Sequence, residues 1–127
     1  MKTITHMIDL HEDHKLWAKE LDFYADELKI YNKRLEELVV KYTNKEMLAE
    51  LEHFQNQFIR QKEVIDELKH EITTHEDRLE KIAKENPVVN DHIRFEPHTE
   101  HEDKILTQRK IYNELKTEFT KFLRKYM

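Results

Sequence analysis

The chain contains no glycine, no cysteine and no serine, and only two prolines. Each absence closes off a class of chemistry. Phosphate-cradling loops of the P-loop and dinucleotide type need glycine where the backbone turns tightly against the ligand. Without serine or cysteine the two commonest side-chain nucleophiles are missing, which excludes triad hydrolases and thiol enzymes. Without cysteine there are also no disulfides, thiolate zinc sites or iron–sulfur clusters. The net charge of −5 lacks the basic excess that nucleic acid rewards. No apolar run approaches the length of a membrane span, and the segment Met1–Leu10 lacks the apolar core of a signal peptide. The expectation is a cytoplasmic protein with neither nucleic-acid nor membrane partners.

What remains is patterned. Charged residues make up 39% of the 127 positions and are spread throughout, as solvated faces of long helices require. Core-type residues recur at alternating spacings of three and four, beginning Leu10, His14, Trp17, Leu21, Tyr24, Leu28 and continuing through Tyr31, Leu35, Leu38 and Tyr42. They resume at Met47, Leu51, Phe54, Phe58, Gln61 and Ile65, then Leu68, Ile72, His75 and Leu79. Such spacing marks helices that bury one narrow seam. The two sets mirror each other about Thr43–Asn44, so that Leu38 meets Leu51, Leu28 meets Gln61 and His14 meets His75. Two antiparallel helices of equal rise require this correspondence.

These observations predict an all-α fold, an elongated up-down-up three-helix bundle built on a long antiparallel heptad-type hairpin, with residues 1–127 as one domain. Helix 1 is expected over about 9–42 and helix 2 over about 45–85, the latter begun by a capping box from Thr43 to Glu46. Asn86–Pro87 stops it, because the residue before proline resists helical geometry. A connector covers 86–97, its Val88, Val89, Ile93 and Phe95 folding over the bundle end. Helix 3 is expected over about 98–126, opened by Pro97, with the seam His98, His101, Ile105, Gln108, Tyr112, Leu115, Phe119, Phe122 and Tyr126. Gln61 in the seam reads as a register-setting polar layer, with a tyrosine hydroxyl as its expected partner. The basic residues Lys121, Arg124 and Lys125 read as a solvated face complementing the end of helix 3.

Two sets of residues carry functional expectations. On helix 1, Leu16, Phe23 and Ile30 repeat every seven residues as a second apolar stripe, about 100° from the seam. Ala18, Ala25 and Val39 flank the seam elsewhere, so one side could receive helix 3 and another a second copy of the chain. Unburied apolar stripes mark partner surfaces, and the expected partner is a homo-oligomer mate or another helical protein.

The second set is histidine-rich. The bundle brings His11 and His14, His75, and His98 and His101 to one end, with His92 in the connector. The tripeptide His-Glu-Asp occurs at 11–13, 75–77 and 101–103. Imidazoles and carboxylates from neighbouring helices are how bundles hold transition metals. His14 and His75 are the leading candidate ligands, followed by His11, His98 and His101, with Glu71 and Glu102 completing the sphere. The implied cofactor is zinc, iron or copper. Against this, pairing Leu79 with Ile105 would set His101 above His75, not level with it, and a half-wet packing layer explains the same residues. Two Glu-x-x-His matches, Glu50/His53 and Glu67/His70, have the motif of carboxylate-bridged di-iron bundles, but both lie on helix 2 facing away from the seam.

The sequence therefore supports a non-enzymatic bundle acting in self-association or protein–protein interaction. A metal-binding bundle is the alternative.

Overall fold

The computed structural model describes residues 7–41, 43–85 and 95–126, with side chains for all of these except 7–9, 82, 83, 85 and 95–98. It is an all-α three-helix bundle: α1 (Met7–Lys41), α2 (Lys45–Glu85) and α3 (Phe95–Tyr126). At 41 residues, α2 is the longest element, about 60 Å from end to end.

The predicted seam is the core. Every described seam residue of α1 and α2 is buried except Tyr31, which is half-buried and packed against the core. The register follows the mirror relation. Tyr31 stacks near Phe58, with ring centroids 5.7 Å apart. His14 lies against His75 at 5.1 Å, and Lys69 reaches across to Asp22. Tyr42, the last rung predicted for helix 1, lies outside the described residues.

The cap of α2 falls one residue later than the spacing of Thr43 and Glu46 suggests. Asn44 Oδ1 accepts the backbone N–H groups of Glu46 (2.8 Å) and Met47 (3.3 Å). These are two of the four donors that a helix start leaves unpaired. The Asn44 carbonyl then accepts from Leu48 N–H at 3.0 Å and begins the helical ladder.

α3 begins at Phe95, not near residue 98, so Pro97 sits inside the first turn. Proline is tolerated there because that N–H has no intrahelical acceptor to lose. The connector residues Val88, Val89, His92 and Ile93 lie outside the described residues.

α3 runs parallel to α1 and antiparallel to α2, and packs more extensively on α2. Its apolar seam drops into the groove of the hairpin, where Phe119 meets Tyr31, Phe54 and Phe58. Charged residues beside that seam hold it to α1. Glu20 accepts from Arg109 Nε at 3.0 and 3.1 Å. Glu27 accepts from the Tyr112 hydroxyl at 2.6 Å and Lys116 Nζ at 2.9 Å. Burial and then Glu27 push the Tyr112 hydroxyl well above its ordinary range, so it stays a donor. The same two causes bring Tyr31 up to about 12. No described helix is long and apolar enough to cross a membrane.

Candidate functional site

At the end where α1 begins, three imidazoles from three helices form a continuous ladder. His14 and His75 are each 3% exposed. Their rings meet edge to face, and His75 meets His101 in the same way at 4.9 Å. Trp17, one turn along α1, closes the dry side of the ladder at 5.7 Å from His14.

His101 therefore lies level with His75, where matching Leu79 to Ile105 would have displaced it by about two turns. The reason is visible further along: Lys104 Nζ bonds Glu71 at 3.1 and 3.3 Å, and Gln108 bonds Gln61 at 3.1 Å. Both links set α3 at least two turns away from the register that pairs Leu79 with Ile105.

The carboxylate that serves the histidines is Glu76. Its two oxygens accept from Nδ1 of His11 and Nδ1 of His14, so it bridges α2 to α1. Burial alone would raise the Glu76 carboxyl, but the hydrogen bonds and charge of His14 and His11 outweigh it and hold the group below its ordinary value of 4.5. Neither Glu71 nor Glu102 does this work. Glu71 is taken up by Lys104, and Glu102 is exposed. The sequence did carry a signal for Glu76: it is the central residue of the second His-Glu-Asp tripeptide, and His-Glu-Asp at 11–13 contributes its partner His11. The side chain of His98 lies outside the described residues.

The arrangement fits a packed polar layer better than a preformed coordination sphere. Nδ1 of His11 and of His14 are engaged by Glu76. A groove of about 260 Å³ on the other side of the ladder is lined by His70, Glu71, Thr74, His75, Arg78 and His101. Arg78 places a fixed cation in that groove, which opposes a second one electrostatically. Among the described residues, no group of three or more His, Asp or Glu side chains is disposed to hold a metal ion.

Glu76 makes the layer's stability depend on acid in a definite sense. A carboxylate depressed in the folded chain stabilises it above the unfolded value, near 4.5, and that contribution is lost as pH falls through the folded value. Glu76→Gln should lower stability by about 1–2 kcal/mol at pH 7. Melting temperatures of variant and parent, followed by circular dichroism from pH 7 downwards, should draw together as pH falls below 4.5 towards the folded value. A constant gap across that range would show that the Glu76 charge is not what stabilises the layer.

The second candidate region is the stripe on α1. Leu16, Phe23 and Ile30 are 62%, 57% and 56% exposed. They lie beside the row of Glu20 and Glu27 that faces α3, so α3 docks next to the stripe without covering it. Ala18 and Ala25 are half-buried, with Ala25 packed on the core, while Val39 is exposed. His53, Glu67 and His70 are exposed on α2 as the heptad places them, while Glu50 is half-buried and pairs with Lys125 at 3.6 Å.

No protein-family model, curated protein or solved structure matches the chain.

Proposed function

We propose that this protein is an interaction module, which acts by docking a helical surface on the Leu16–Phe23–Ile30 face of α1 and carries out no chemistry of its own. One observation carries the reading. Three large apolar side chains, at a strict seven-residue spacing, stand more than half exposed on a helix whose core seam is already fully used. Scattered apolar residues need no explanation, but a periodic row on one helical face is the form a helix-docking surface takes. The missing nucleophiles and the engagement of the half-buried carboxylates Glu20, Glu27 and Glu76 by their own neighbours support the same view.

Phe23→Asp places a charge at the centre of the face. It should weaken association at least tenfold by sedimentation analysis, with helix content by circular dichroism unchanged, because the side chain is more than half exposed and meets the core through an edge contact with neighbouring Tyr24. A photocrosslinking residue at position 23 should capture a partner, and one at exposed Glu63 on α2 should not. Unchanged association of Phe23→Asp would remove the stripe as the docking surface.

The His14–His75–His101 ladder favours a second reading, in which the histidine end takes up zinc, iron or copper after His101 rearranges. Elemental analysis of untagged protein decides it. A near-integral metal content abolished by His14→Ala with His75→Ala would support it, and metal retained by that double variant would sink the assignment.

A further inference from the structure

The charges beside the stripe specify what covers it. Glu12, Lys19, Asp26 and Lys33 stand seven residues apart on α1, next to Leu16, Phe23 and Ile30 and on the side away from α3. All four are exposed, and their signs alternate along the helix. Read in the opposite direction, the row is its own electrostatic complement.

We infer that a second copy of the chain lies on this face, with the two α1 helices antiparallel about a twofold axis at Phe23. The inference rests on the docking role proposed above and names the partner. In this register Phe23 packs on the partner's Phe23, and Leu16 packs on the partner's Ile30. A twofold perpendicular to the pair keeps each flank facing the same flank of its mate. Glu12 then lies within a residue's rise of the partner's Lys33, and Lys19 within a residue's rise of the partner's Asp26.

A parallel, in-register pair would instead turn this flank onto the opposite flank of the mate, setting Glu12 against the partner's Asp13, Asp26 against the partner's Glu27 and Lys33 against the partner's Arg34, all like in sign, with only Lys19 and the partner's Glu20 opposite. On the inner flank Glu20 comes level with the partner's Glu27. That contact is neutralised in advance, because Arg109 and Lys116 of α3 already hold these carboxylates. Arg34, also on that flank, comes level with the partner's Asp13. The face therefore selects an antiparallel copy of itself over a parallel one.

Because the chain has no cysteine, single introduced thiols report the geometry without background. Under mild oxidation Phe23→Cys should link to itself. Leu16→Cys alone should not, since the two sites would be about 21 Å apart along the pair. An equimolar mixture of Leu16→Cys and Ile30→Cys should form the mixed disulfide. The charge row gives an independent readout. Lys19→Glu and Asp26→Lys should each weaken dimerisation roughly tenfold, and mixing the two should restore it, since both cross-pairs become opposite in sign.

The failures are distinguishable. Parental protein that stays monomeric at high concentration overturns the second copy while leaving a different helical partner open to the stripe. A dimer broken by Phe23→Asp, but crosslinked by Leu16→Cys alone or not rescued by mixing, overturns the antiparallel register and leaves the docking role standing. A dimer indifferent to Phe23→Asp overturns both.

Discussion

Replacing Phe119 with alanine should lower stability by about 3–5 kcal/mol and the melting temperature by roughly 10–20 °C. The expectation follows from where one ring sits. Phe119 is fully buried, 4.9 Å from Tyr31 of α1 and 4.9 Å from Phe58 of α2, with Phe54 at 5.3 Å. Its contact with Phe58 is edge to face, at 87°, a favourable arrangement for two aromatic quadrupoles. A single side chain of α3 therefore touches both helices of the hairpin at once.

Truncation removes the transfer free energy of the ring and leaves a cavity bounded by three long helices. Closing it requires α3 to tilt as a whole, and the ion pairs to Glu20 and Glu27 resist that. Denaturant unfolding of Phe119→Ala, with exposed Ile111→Ala as a control near zero, measures the effect. A loss below about 1 kcal/mol would mean that the aromatic cluster is not what docks α3.

The hairpin was legible in the sequence because two independent regularities agree. Heptad spacing identifies the buried face of each helix, and the mirror relation about the turn then fixes their register with no further information. The arm formed by α3 lacked the second regularity. Its connector to α2 is long, and a helix free to slide along a groove has several registers that bury the same apolar seam. What selects the observed one is polar: Gln108 on Gln61, and Lys104 on Glu71. Partner choices of this kind depend on distances that a periodic pattern does not carry.

The histidine end shows the same division. Its membership could be read from topology, since the start of α1, the end of α2 and the start of α3 must meet. The identity of its carboxylate could not. Glu71 and Glu76 are both near His75 in sequence, and helix phase sends Glu71 towards Lys104 of α3 and Glu76 towards α1. Likewise the spacing of Thr43 and Glu46 predicts a capping box, whereas Asn44 performs the capping with its own side chain. Asparagine and threonine are comparable caps, so position alone separates them. The exposed stripe was predicted from periodicity, and its burial state follows from α3 docking beside it.

The polar layer at Gln61 gives the second large effect, and here the double substitution should not share the loss caused by the single one. Gln61 and Gln108 are both buried, and Gln108 Nε2 donates to Gln61 Oε1 at 3.1 Å. The Gln108 oxygen is buried without a hydrogen-bond partner among the described residues, so the layer is only partly satisfied. Gln61→Leu strands the remaining amide of Gln108 in hydrocarbon and should cost about 1–3 kcal/mol. Gln61→Leu with Gln108→Leu removes donor and acceptor together and should be neutral, or more stable than the parent by about 1–2 kcal/mol.

A partly satisfied layer survives that comparison only if it contributes specificity. A seven-residue slip of α3 would keep its apolar seam in the groove but leave both amides facing leucine or aromatic carbon, so the pair penalises the slipped state more than the native one. The doubly substituted chain should therefore be stable yet less singular. Amide resonances from α3 should double or broaden in its nuclear magnetic resonance spectrum, while those of the α1–α2 hairpin stay sharp. A double variant that is stabilised and still gives one sharp set of α3 resonances would show that ion pairs such as Lys104–Glu71 are sufficient to hold the register. A double variant less stable than Gln61→Leu alone would show that the amides stabilise the bundle directly.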